Sequence, residues 1–168
     1  MNHISNYLTD EEFKNIINDP NEYNKALSLV TLLFKEKVDK EGMPYIGHLK
    51  RVSDSLDNPK TKIAGLLHDT VEDIDGITYE DLLNIGFDKD VVEMVKLVTT
   101  EDKTKPYHDK ITSIIESGNI EAIKLKYADM SDNYNKERLS TLNQETRKKL
   151  EAKYENEIIR LKETLERR

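Results

Sequence analysis

Apolar residues recur at helical spacing through almost the whole chain, and no stretch alternates apolar and polar residues well enough to make a β-strand. A helix repeats its buried positions every three or four residues, a half-buried strand every two. Ala26, Leu27, Leu29, Val30, Leu32, Leu33 and Phe34 are dense enough for a buried helix over about 21–38. Ile46, Leu49, Val52 and Leu56 mark a helix over 45–56, and Val91, Met94, Val95 and Val98 one over 88–98. The breaks carry recognisable chemistry. Thr9 with Glu12, and Thr78 with Asp81, match capping pairs that start helices, over 10–19 and 78–84. Asp19-Pro20, Gly42-Met43-Pro44, Asp57-Asn58-Pro59, Asp75-Gly76 and Gly86 are stops or turns. Further helices are expected over 60–71, 106–116 and 119–135, with a long amphipathic one over about 143–166. The expectation is an all-α fold, a single domain over residues 1–168 built as a bundle of about eight helices.

Within that pattern one stretch stands out. The apolar run Ile63-Ala64-Gly65-Leu66-Leu67 leads directly into His68-Asp69-Thr70-Val71-Glu72-Asp73. On a helix, steps of about 100° per residue place His68, Asp69, Glu72 and Asp73 within one broad arc. His68 and Glu72, like Asp69 and Asp73, are four apart and stack on one face. A solvated acidic helix end and a cation-holding face are equally open from this stretch alone.

Composition narrows the function. Charged residues make up 35% of the chain and hydrophobic residues 36%, so it is polar yet retains material for a core. The net charge of −7 argues against a nucleic-acid binder, which is normally basic. A small phosphorylated ligand remains compatible, because a local metal and a few lysines can dominate one site. The absence of Cys removes disulfides, thiolate metal sites and thiol nucleophiles, which fits a reducing compartment. Met1-Asn2-His3-Ile4 does not open a signal peptide, and no apolar stretch approaches membrane-spanning length. The expected location is the cytoplasm, with no membrane partner.

Three places carry side chains suited to one divalent ion: His48 in Pro44-Tyr45-Ile46-Gly47-His48, the doublet His68-Asp69, and Asp129 in Lys126-Tyr127-Ala128-Asp129-Met130-Ser131-Asp132-Asn133. Two imidazoles and two carboxylates suit Mn, Fe, Co or Zn without choosing among them. A divalent ion acidifies bound water and polarises a phosphoryl oxygen. Glu72 or Asp73, one turn beyond the doublet, can then accept or relay a proton.

The order H…HD…D across separate helices resembles the HD-domain phosphohydrolase superfamily. More specifically, it resembles the hydrolase domain of RelA/SpoT-type enzymes and their small stand-alone relatives, which are like metazoan SpoT homologs. The segments that carry the resemblance are 39–48, 64–73 and 126–133, with 78–82 and 95–99 between them, so the motif-bearing region is about 26–139. The Glu-Asp after His-Asp separates this group from other HD proteins. By resemblance, His48, His68, Asp69 and Asp129 hold the metal, and Glu72 and Asp73 are the catalytic acid/base pair. Lys40, Asn133 and Leu139 match substrate-binding positions. One divalent ion is expected, manganese first among the choices. The implied reaction removes the 3′-pyrophosphate from guanosine tetra- or pentaphosphate (ppGpp, pppGpp).

The chain also departs from those relatives. Asp39 stands where they often carry an Arg that stacks on the base, and Glu41 where they carry Ser. Lys35 replaces a His of the second helix, and Asp132 replaces a His that flanks the site. Two alternatives stay open: hydrolysis of another nucleotide, such as a deoxynucleoside monophosphate or the 2′-phosphate of NADPH, and a non-catalytic regulator that binds metal and nucleotide. His3 and His108 lack partners in sequence and are expected at the surface. Lys103 and Lys105 belong to a charged loop, solvated or reaching phosphates. Leu150, Tyr154, Ile158, Leu161 and Leu165 give the last helix a packing face, and its length beyond Glu157 leaves room for a homodimer contact.

Overall fold

A computed structural model describes residues 3–134 and 142–167 of the chain, and these are all-α. Nine α-helices of seven residues or longer and one single turn are present among the described residues. They are α1 (Asp10–Asn18), α2 (Glu22–Leu33), α3 (Ile46–Asp54), α4 (Pro59–Leu67), the turn α5 (Thr70–Asp73), α6 (Tyr79–Ile85), α7 (Lys89–Val98), α8 (Tyr107–Glu116), α9 (Ile120–Asn133) and α10 (Gln144–Glu166). A 3₁₀ turn over His3–Asn6 precedes them. Leu139 and the side chain of Leu150 lie outside the described residues.

Local chemistry sets the boundaries. Thr9 and Glu12 exchange two hydrogen bonds in a complete capping box, as do Thr78 and Asp81. Asn21, Asn58, Asp88, Asn119 and Asn143 each cap a helix start through a side-chain oxygen, and Pro59 occupies the first turn of α4. Gly86 ends α6 in the left-handed region, at φ +115°, which glycine adopts without steric cost.

Two expectations need correction. The second helix stops at Leu33 rather than continuing to 38; residues 37–45 fold back on themselves, with an isolated antiparallel bridge between Val38 and Pro44. The helix expected over 60–71 breaks after Leu67. The His68 ring donates from Nδ1 to the Gly65 carbonyl at 2.6 Å, and Thr70 Oγ1 donates to the Leu67 carbonyl at 2.8 Å. These side chains satisfy carbonyls of the last turn, so the helix ends there. Asp69 then adopts φ −101° and ψ 1°, outside helical values, and the single turn α5 starts at Thr70.

Helix α4 is the axis of the molecule, packing against α2, α3, α7 and α9, while α10 lies across α8 and α9. Ala64, Leu66 and Leu67 of α4 are fully buried with Leu29, Leu49, Val95 and Leu125. Truncating such a leucine to alanine costs about 2–5 kcal/mol. Gly65 lets α3 approach: a β-carbon there would sit 3.2 Å from the Ser53 Cα. No helix among the described residues is long and apolar enough to cross a membrane.

Candidate active site

The site grows from the C-terminal end of α4. The break after Leu67 sets His68 and Asp69, still largely buried, beside His48 of α3 and Asp129 of α9. His48 Nε2 lies 3.0 Å from Asp129 Oδ1 and 3.8 Å from Asp69 Oδ2. His68 Nε2 lies 3.1 Å and 3.2 Å from the same two atoms. One donor atom from each of the four residues lies within 4.8 Å of the others.

The rings are oriented for this. Nδ1 of His68 faces the Gly65 carbonyl, and Nδ1 of His48 faces Asp132 Oδ2 at 2.6 Å. Both outer nitrogens therefore carry a proton toward an acceptor and both Nε2 atoms point inward, the arrangement by which proteins orient metal-binding histidines. Tyr45, stacked on Phe34, donates its hydroxyl to Asp69 Oδ2. Lys126 donates to Asp129 Oδ2 at 3.1 Å and Asn133 to Asp129 Oδ1 at 3.3 Å. Two imidazoles and two carboxylates, all buried or nearly so, fit a divalent cation through a mixed nitrogen and oxygen donor set.

Protonation follows the same contacts. Burial alone would lower the His68 imidazole, but Asp69 and Asp129 outweigh it and raise it to about 10. His48 is raised likewise, burial being outweighed by its hydrogen bonds to Asp129 and Asp132. Asp129 is held well below the usual carboxylate range, because Lys126 and the histidines overcome its burial. Asp73 goes the other way: burial and the nearby Asp69 push it up to about 6 against the pull of Lys37.

His68, Asp69 and Asp129 of the cluster line a cavity of about 770 Å³, with His48 buried behind them. Glu72 and Asp73 line it, as do Lys40 and Asn133. Lys103 and Lys105 of the 99–106 loop reach it too, with Lys37, Lys110, Lys126 and Lys153. A chain of net charge −7 thus turns seven lysines to one cavity. Tyr107 and Tyr154 form an aromatic wall, ring centroids 5.6 Å apart, with Lys153 Nζ 4.7 Å from the Tyr107 centroid.

Several of these residues escaped the sequence reading. Lys126 lies one turn before Asp129, a spacing that offered a signal, but charges three apart on helices are common; Asp132, expected to flank the site, does so. Lys37, Lys110 and Lys153 come from three separate elements and are joined only by folding. His3 and His108 are exposed as expected, although His108 contacts Glu157 of α10.

No protein-family profile matches the chain, and no curated protein sequence matches it. The fold is shared with solved structures. One of them is a metazoan ortholog of SpoT that hydrolyzes ppGpp and plays a role in starvation responses. It superposes with a TM-score of 0.62 at 24% identity, over 89% of this chain and 96% of that one.

Proposed function

We propose that the chain is a metal-dependent phosphohydrolase that removes the 3′-pyrophosphate from a guanosine tetra- or pentaphosphate. The observation that carries this is a two-histidine, two-aspartate cluster, three of whose members line a lysine-rich cavity. His48, His68, Asp69 and Asp129 would hold one divalent ion, with manganese the first to test. Such an ion supplies an acidified water and charge stabilisation for a phosphoryl group. The structural neighbour, which acts on ppGpp, supports the substrate assignment.

The chain's own residues divide the remaining work. Asp73, its carboxyl raised to about 6, accepts the proton of the attacking water. Glu72 accepts the backbone N–H of Thr100 at 2.7 Å and so fixes the loop that carries Lys103 and Lys105. The lysines neutralise phosphates, and Lys40 and Asn133 contact the nucleotide at the cavity's edge. Attack at the phosphorus nearest the sugar breaks the bond to the 3′ oxygen, which takes up a proton while pyrophosphate leaves as one unit.

The test is a substrate panel with added Mn²⁺, read by phosphorus NMR. Pyrophosphate released from a 3′-diphosphate nucleotide supports the proposal. Stepwise orthophosphate, or brisk hydrolysis of a monophosphate with no turnover of any 3′-diphosphate, overturns it.

A further inference from the structure

The contact between α3 and α9 is a two-rung ladder. His48 and Arg51 lie one turn apart on α3, and Asp129 and Asp132 one turn apart on α9. The first rung joins His48 Nε2 to Asp129. The second joins Arg51 to Asp132, with Nε donating to Oδ1 at 2.7 Å and a terminal nitrogen to Oδ2 at 3.2 Å. A diagonal links them, because Asp132 Oδ2 also accepts from His48 Nδ1. Neither Arg51 nor Asp132 lines the large cavity; both line a second one, of about 390 Å³.

We propose that Asp132 and Arg51 are positioning residues that fix the tautomer and orientation of His48 for metal binding. The inference rests on the reading of the four-residue cluster as a metal site. A carboxylate can only accept, so beside Asp132 the ring must carry its proton on Nδ1. Nε2, which faces Asp69 and Asp129, is then the nitrogen that would give up its proton and offer its lone pair when a cation binds there. Without Asp132 the proton can move to Nε2 and block that position. Arg51 contributes through geometry: its planar fork engages both oxygens of Asp132 and stops the carboxylate from rotating away. A plain clamp between α3 and α9 would use the same Arg51–Asp132 pair but would not need the bond to His48.

Mn²⁺ binding to the full-length protein by titration calorimetry, alongside the thermal midpoint of the metal-free protein, tests this. Asp132→Ala is expected to weaken Mn²⁺ binding by about 10–100-fold, the usual effect of removing such a partner. Asp132→Asn keeps an acceptor oxygen for Nδ1–H and should lose several-fold less. Arg51→Ala should weaken binding as well, and Arg51→Lys should recover part of the loss. Arg51 is half exposed, so its variants carry the test if Asp132→Ala does not fold. Unchanged Mn²⁺ affinity in Asp132→Ala or Arg51→Ala, with only a lowered midpoint, reduces the pair to a helix clamp and overturns the proposal. Equal losses in Asp132→Ala and Asp132→Asn overturn the tautomer argument. No Mn²⁺ binding by the unsubstituted protein overturns the metal reading itself, and this inference with it.

Discussion

Glu72 accepts the Thr100 backbone N–H at 2.7 Å, whereas the side chain of Asp73 hydrogen-bonds to no described residue. Two adjacent carboxylates therefore have different environments and, on the present reading, different work. Glu72→Gln keeps an acceptor for Thr100 and should stay within a few-fold of the unsubstituted rate. Glu72→Ala releases the loop bearing Lys103 and Lys105 and should raise KM about tenfold or more, since one hydrogen bond to a charged group contributes roughly 1.5–3 kcal/mol. Asp73→Asn should lower kcat by about 10²–10⁴-fold with metal binding intact. Steady-state kinetics on the three variants check the division, and equal loss in Glu72→Gln and Asp73→Asn would refute it.

The acid side of the pH–rate profile should report Asp73. Its carboxyl is raised to about 6 by burial and by Asp69, and only its ionised form can accept a proton. Activity should therefore fall as pH drops through that range. A bound cation favours the carboxylate, so the limb belongs at or below about pH 6. A limb above pH 7 would point to another group.

About one divalent ion should bind per chain, and His68→Ala or Asp69→Ala should abolish that binding. Asp129→Ala is a poorer test. It strips the partner from buried Lys126, and an unpaired buried charge costs about 3–5 kcal/mol, so binding and folding would fail together. Elemental analysis of dialysed His68→Ala and Asp69→Ala gives the answer, and full occupancy in both would dismiss the cluster as a metal site.

Away from the site, Glu157 joins α10 to α8: it accepts from Arg160, and His108 Nδ1 lies 3.1 Å from it. Burial opposes its ionisation, but His108 and Arg160 outweigh burial and hold it below its usual 4.5. A depressed carboxyl adds stability above its unfolded-state value and loses it as pH falls through the folded value. Between pH 6 and pH 3 the thermal midpoint of the unsubstituted protein should thus fall more steeply than that of Glu157→Gln. Parallel curves would show that the contact adds nothing.

The helices were legible because their signals are local: Thr9 with Glu12 and Thr78 with Asp81 are capping boxes in sequence and in space. His48, His68, Asp69 and Asp129 could be singled out because few side chains hold metal and their order was distinctive. The break at His68-Asp69 was hidden, because the bonds to the carbonyls of Gly65 and Leu67 leave no mark on apolar periodicity. Lys37, Lys110 and Lys153 were hidden for another reason. Exposed lysines occur along the whole chain, and only packing decides which share a cavity.

Asp39 bears on which base is bound. In the enzymes that this chain resembles, an arginine at this position stacks on the base. Here Asp39 Oδ1 accepts the backbone N–H groups of Glu41 and Met43, at 2.9 Å and 3.0 Å, and organises the turn at the cavity's edge. A carboxylate offers a base neither a stacking plane nor a positive charge, and it repels phosphates nearby. The lysines, by contrast, attract phosphate whatever the base. Discrimination between guanosine and adenosine substrates should therefore be weak, within about tenfold in kcat/KM, or roughly 1.4 kcal/mol. Asp39→Arg should sharpen it if the turn survives. Asp39→Asn is the control, since it keeps an acceptor for both amides while removing the charge, and it should raise kcat/KM for both nucleotides alike. A strong guanine preference in the unsubstituted protein would place base recognition elsewhere, with the Tyr107–Tyr154 wall the next surface to test.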